Sequence, residues 1–160
     1  MKVKIFITGG TIDDLEYASE KQAPKNHQSL VPELLEKMRI RLDYNCEVLM
    51  QKDSKFITEK DKELILKKCQ ECKEDKIIIT HGTMTIVQTA QYLGQRKLRK
   101  TIVLTGAMVP INKKETDGPF NLGTAFTAVQ LLPEGVYITM NGKVFNWDSV
   151  RKNLDTGYFE

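Results

Sequence analysis

Five residues, Lys76-Ile77-Ile78-Ile79-Thr80, restrict the fold more than any others in this chain. Three consecutive isoleucines leave no polar side for solvent, so a strand here must be covered on both faces. Strands of that kind belong to parallel sheets packed between helices. The rest of the chain supplies the other layers. Residues 2–8, Glu47-Val48-Leu49-Met50, Thr101-Ile102-Val103-Leu104-Thr105 and Val136 to Met140 read as further strands. Between them, Val31, Leu34, Leu35, Met38 and Leu42 repeat at helical spacing, with Ser29 placed as a cap and Pro32 as an early proline. Thr58-Glu59-Lys60-Asp61 reads as a capping box ahead of a helix that shows Ile65, Cys69 and Cys72 on one face. Thr85 to Leu93 is a short helix, and Leu122, Ala125, Phe126 and Val129 mark another. Asn141-Gly142 is a hairpin turn into Lys143-Val144-Phe145. This alternation predicts an α/β fold: a doubly wound, flavodoxin- or Rossmann-like, mainly parallel sheet flanked by helices, with a C-terminal hairpin. Asp13 to Gln28 is polar, aperiodic and long for a connection, as lids and disordered loops are.

Charge and length exclude several roles. The 24 basic and 21 acidic residues leave +3, spread over both halves, which is not a nucleic-acid footprint. No stretch approaches the roughly 18 apolar residues of a membrane span. The opening Met1-Lys2-Val3-Lys4-Ile5-Phe6-Ile7 runs into Thr8-Gly9-Gly10 and not into a small-residue cleavage site, so it reads as a strand and not as a secretory leader. A cytoplasmic chain with reduced thiols is expected, since Cys46, Cys69 and Cys72 are an odd count. Cys69-x-x-Cys72 lies late in its helix, whereas redox pairs sit at helix starts, and no second pair completes a zinc site. No metal or cofactor is expected.

In such sheets ligands bind beyond the carboxyl ends of the strands. Three of those ends share one grammar: Thr8-Gly9-Gly10-Thr11-Ile12, Thr80-His81-Gly82-Thr83-Met84-Thr85 and Thr105-Gly106-Ala107-Met108-Val109-Pro110. Each sets a small residue and a hydroxyl at the rim. Glycine lets backbone approach a ligand closely, and a threonine hydroxyl becomes a nucleophile when a base activates it. Neither a P-loop nor a G-x-G-x-x-G is present, which argues against nucleotide phosphates. His81 reads as shaping its turn, His27 as a solvated loop residue, and Trp147 either as packing or as a wall of the site.

With these turns in their order, the chain resembles the bacterial-type L-asparaginases, the asparaginase/glutaminase amidohydrolases. Thr8-Gly9-Gly10-Thr11-Ile12 matches the family's first signature, and Thr80-His81-Gly82-Thr83-x-Thr85 the second, apart from one position. Gly106-Ala107-Met108-x-Pro110, Asp117-Gly118-Pro119-Phe120-Asn121-Leu122 and Val150-x-Lys152 match further segments. The resemblance implies hydrolysis of a small amide such as L-asparagine through an acyl-enzyme, with release of ammonia. It implies Thr11 as nucleophile, Thr83 as the second threonine and Lys152 as the lysine that bonds it and helps move protons. It also implies Gly10, Gly82 and Ala107 around the substrate, Tyr17 as a candidate lid tyrosine, and a homo-oligomer of two or more copies.

Three departures accompany the match. Met84 stands where the family has an aspartate that contacts the substrate's α-amino group and pairs with the lysine. Gln51-Lys52 align with the family's substrate-binding pair, so Lys52 adds a positive charge there. The 160 residues correspond to the family's N-terminal domain alone, without its smaller C-terminal domain. A neighbouring subunit's copy of that domain helps close the family's site. Met84 also leaves a second reading, a non-catalytic small-molecule-binding or regulatory module on the same scaffold. A third is an incomplete chain whose missing half comes from another polypeptide.

Overall fold

The computed structural model describes all residues from Met1 to Glu160. Its elements in chain order are β1 (Lys2–Gly9), α1 (Val31–Lys37), β2 (Asp43–Lys52), α2 (Glu59–Glu71), β3 (Lys76–Thr80), α3 (Ile86–Gly94), β4 (Thr101–Thr105), α4 (Gly118–Leu131), β5 (Gly135–Met140) and β6 (Lys143–Asn146). The sheet has six strands in the order β2-β1-β3-β4-β5-β6. The first five run parallel, and β6 returns antiparallel on β5. The expected doubly wound sheet with a terminal hairpin is therefore the observed one. Asn141 and Gly142 turn that hairpin with φ of 55° and 75°, the pair of positive angles a type I′ turn requires.

Alternation along the strands divides the core in two. Val3, Ile5, Ile7, Ile78, Val103 and Tyr137 point to one face, where α1 and α4 supply Val31, Leu35, Leu122 and Val129. Phe6, Ile77, Ile79, Ile102, Leu104 and Ile138 point to the other, against Ile65 and Cys69 of α2 and Ile86 and Leu93 of α3. The triple isoleucine of β3 is thus buried on both sides, each side chain contributing about 2 kcal/mol of burial. The capping box of α2 forms as read: the Thr58 hydroxyl accepts from the Asp61 N–H, and the Asp61 carboxylate accepts from the Thr58 N–H. Such a cap stabilises its helix by about 1 kcal/mol.

Three expectations need correction. Strand β2 extends over ten residues, not four, because an edge strand needs only one covered side and tolerates Asp43, Asn45 and Glu47. Helix α1 stops at Lys37, so Met38 only caps it and Leu42 lies beyond; its N-cap is Leu30, while the Ser29 hydroxyl accepts from the Val31 N–H. The polar stretch from Asp13 to Gln28 is anchored. The buried Asp13 carboxylate accepts from the Ser29 hydroxyl and the Leu30 N–H, Leu15 is buried, and the Tyr17 ring stacks on Phe56 at 5.2 Å. His27 of this stretch is half-buried with an unpartnered Nε2, not solvated. No helix is long and apolar enough to cross a membrane.

Candidate active site

The strand order decides where chemistry can sit. In the order 2-1-3-4-5 the connections reverse between β1 and β3, and the crevice opens beyond the carboxyl ends of that pair. Ile7 pairs with Thr80, and Thr80 with Thr105, so the three similar turns leave three adjacent strands at one level. Thr11 follows β1 and Thr83 follows β3.

Glycine draws these turns together. Gly10 has φ 85° and ψ −171°, a region that side chains other than glycine's hydrogen do not occupy. A Cβ on Gly10 would lie 2.3 Å from the Gly82 Cα, and a Cβ on Gly82 would lie 2.5 Å from the Ser54 hydroxyl. The backbones that carry Thr11 and Thr83 therefore touch, with Ser54 wedged beside them. The Gly10 N–H donates to the Lys52 carbonyl at 2.8 Å, which ties the first turn to the end of β2.

Lys152 arrives from the far end of the chain. After β6 the backbone folds over itself, Arg151 and Glu160 exchange N–H···O bonds of 2.8 and 2.9 Å, and Lys152 bridges to Phe159. Val150 and Phe159 are buried in the core, which fixes this loop to the sheet. The Lys152 ammonium donates to the Thr83 hydroxyl at 2.9 Å and lies 3.7 Å from the Met84 sulfur. Burial lowers the Lys152 pKa from its ordinary 10.5, opposed by the nearby Glu16 carboxylate. Thr11 is 8% exposed and Thr83 4%, while Met84 is 47% exposed. The two threonines are thus nearly covered, while Met84, next to Thr83 in the chain, is half exposed.

Glu16 is the residue that sequence reasoning missed. The Thr11 hydroxyl donates to its carboxylate at 2.9 Å. The placement follows from a short 3-10 turn over Thr11–Asp13, in which the Asp13 and Leu15 N–H groups both donate to the Gly10 carbonyl. No periodicity marks such a contact. Tyr17, read as the lid candidate, has its hydroxyl on the Asp53 N–H at 3.1 Å and donates its own N–H to the Asp53 carboxylate. It staples the loop to the turn after β2, and its neighbour makes the bond to Thr11.

The last residues of β2 and the turn after it make contacts within the chain. The Lys52 ammonium pairs with the Asp61 carboxylate at 2.7 Å, so its charge is neutralised at the start of α2. The Gln51 side-chain amide is buried without a partner. Ser54, two residues on, is the side chain against Gly82. Its carbonyl accepts from the Thr85 hydroxyl at 2.7 Å.

The third turn is held as a rigid floor. Asp117 accepts from the Met108 and Val109 N–H groups at 2.9 Å, and Asn121 donates to Asp117 and to the Gly106 carbonyl. Ala107 is fully buried in the core at this corner. His81 shapes its turn as read. Nδ1 donates to the Gly82 carbonyl, Nε2 accepts from the Thr89 hydroxyl, and burial pushes its pKa down to about 4. Trp147 packs on Gly94 of α3, which assigns it to packing. Burial pushes the Cys69 thiol up to about 12 and Cys46 up to about 11, so both are inert at neutral pH.

The chain is similar to known proteins over nearly its whole length. The family model described as "Asparaginase, N-terminal" matches residues 2–158. A probable periplasmic L-asparaginase of Haemophilus influenzae is 32% identical, over 96% of this chain and 47% of its own length. L-asparaginase 2 of Escherichia coli is also 32% identical, over 96% of this chain and 47% of its own. The solved structure of the thermostable L-asparaginase from Thermococcus kodakarensis superposes with a TM-score of 0.83 at 30% identity, covering 100% of this chain and 51% of that one. The chain spans about half the length of the curated relatives it matches. Its signature turns, its strand order and this likeness over nearly every residue lead to one conclusion: the chain belongs to the asparaginase family.

Proposed function

We propose that this chain hydrolyses the side-chain amide of a small amino acid, L-asparagine or a close relative, through an acyl-threonine intermediate that releases ammonia. The observation that carries this reading is the placement of Thr11 and of the Thr83–Lys152 pair on touching turns at the β1/β3 crevice. The Thr11 hydroxyl attacks the amide carbon. The Thr83 hydroxyl, backed by the Lys152 ammonium, delivers a proton to the departing nitrogen. Water then cleaves the ester. A lysine whose pKa is lowered by burial gives up its proton more readily at neutral pH than an ordinary one, as this role needs.

The departures from the family bear on substrate more than on chemistry. Met84 brings no carboxylate to a substrate α-ammonium, and Lys52 is already paired, so neither contributes the charge contacts implied by alignment. The amide-cleaving side chains are intact beside them, which favours catalysis over a purely binding module. Self-association belongs to the same reading. Phe120, Leu131, Leu154 and Tyr158 are large apolar side chains left more than half exposed, and light scattering is expected to give a dimer or larger.

The decisive experiment is ammonia release from L-asparagine, L-glutamine and simple aliphatic amides by the wild type and by Thr11→Ala. Turnover of at least one amide, reduced about a thousandfold or more in the variant, is the expected result. Turnover of none, or turnover that survives Thr11→Ala, overturns the reading.

A further inference from the structure

We propose that Glu16 is a catalytic residue, the base that takes the Thr11 hydroxyl proton. The proposal rests on the amidohydrolase reading for its substrate, but the contact that carries it is independent of substrate. The Thr11 hydroxyl donates to the Glu16 carboxylate at 2.9 Å, the geometry a general base requires.

The carboxylate is held in place by its neighbours. Leu15 is buried and its N–H is bound to the Gly10 carbonyl, while Tyr17 is fixed by Asp53 and Phe56. Asp14 stands in a left-handed turn, φ 58°, with its carboxylate on the Asn112 amide. Glu16 is thus the middle of an anchored run, and its side chain is exposed, open to an arriving substrate. The other ionisable groups of these turns are otherwise engaged. Asp13 serves Ser29 and Leu30, and Asp53 serves Tyr17 and Lys55. Buried His81 is bound on both nitrogens. Lys152 bonds Thr83 and feels the Glu16 charge. Glu16 therefore places a carboxylate in a site whose second turn offers Met84.

The proton inventory closes with these groups. As the Thr11 Oγ–carbon bond forms, the hydroxyl proton passes to Glu16. As the carbon–nitrogen bond breaks, Lys152 gives a proton through Thr83 to the nitrogen, and ammonia leaves. Water then adds its hydroxide to the acyl carbon and returns a proton to Lys152 through Thr83. The Thr11 oxygen departs and takes its proton back from Glu16, leaving a carboxylic acid and the starting enzyme.

The test reads activation of Thr11 without requiring amide turnover. The probe is p-nitrophenyl acetate, with acetylation followed on the Thr11 peptide by mass spectrometry and with Thr11→Ala as the blank. The pH dependence of the rate is measured for wild type, Glu16→Gln and Glu16→Asp, all checked for native melting. The expected result is acetylation of wild-type Thr11 whose rate falls on an acid limb. In Glu16→Gln it is about a hundredfold slower with the limb lost, and in Glu16→Asp the limb remains. A Glu16→Gln rate and profile like the wild type's would make Glu16 a mere latch on the loop and overturn the proposal, as would an unreactive wild-type Thr11. Failure here with Thr11-dependent amide hydrolysis leaves the amidohydrolase reading standing. Glu16-dependent acetylation without hydrolysis of any amide sinks that reading alone.

Discussion

Lys152 and Thr83 are separated by 69 residues of chain and by 2.9 Å of space. The loop that closes this distance is built late in the sequence, by the Arg151–Glu160 backbone pair and by Val150 and Phe159 entering the core. Removing the ammonium while keeping the stem, as in Lys152→Met, is expected to lower kcat by about a hundredfold or more with a small change in KM, because in the proposed mechanism the lysine serves proton transfer. Steady-state ammonia release measures it.

The same lysine gives a stability prediction with a definite sign. Burial penalises its charged form, so its folded pKa lies below the unfolded 10.5. Between the two values the unfolded chain binds more protons, and this group's contribution to stability improves as pH rises through that window. At lower pH the charged lysine carries its full burial penalty. Lys152→Met is therefore expected to be more favourable relative to wild type at neutral pH than at high alkaline pH, by denaturant unfolding. A constant difference across that range would contradict it.

Met84→Asp tests the gap in the second turn. The Met84 sulfur lies 3.7 Å from the Lys152 ammonium, and the side chain is half exposed, so a carboxylate fits without opening the core. An opposite charge at that distance favours the protonated lysine and raises its pKa. The alkaline limb of the kcat/KM profile is expected to move to higher pH. Hydrolysis of L-asparagine, which carries an α-ammonium, is expected to gain over that of amides without one.

Gly10→Ala tests the contact between the two turns. A Cβ there would sit 2.3 Å from the Gly82 Cα, at backbone angles open only to glycine. Strain of that kind costs about 1–3 kcal/mol, and a chain of this size loses roughly 2–4 °C in Tm for each. A fall of several degrees, with loss of amide hydrolysis, is expected from a thermal melt and an activity assay.

Legibility in the sequence followed the range of the interaction. The Ile77-Ile78-Ile79 strand, the capping box at Thr58 and Asp61, and the Asn141-Gly142 turn are set by neighbours a few residues away, and each formed as read. The rim threonines were legible because a parallel sheet forces successive strand ends to one level. Glu16 was not, since its bond to Thr11 depends on a single 3-10 turn inside an aperiodic stretch. Ser54 was missed for a different reason. Its contact with Gly82 depends on how the end of β2 meets the first turn, where the register shifts between Ile7 and Gly9 and the Lys52 carbonyl accepts from Gly10, and no local pattern marks such a junction.

His81 supplies a last prediction, on acid stability. It is fully buried, its Nε2 accepts from Thr89, and protonation would require breaking that arrangement inside the core. Its pKa is pushed from 6.5 down to about 4 by burial. Above pH 6.5 the ring is neutral in both states, and its contribution to stability is fully present. As pH falls from 6.5 toward 4, the unfolded chain gains a proton that the folded one refuses, and that contribution is lost. The full loss for a shift of this size is of order 3 kcal/mol. His81→Gln removes the titration, so its unfolding free energy, lower than wild type at pH 7.5, is expected to draw closer to it by pH 4.5. Urea unfolding at the two pH values checks this, and a gap that widens on acidification would show that His81 is protonated in the folded state.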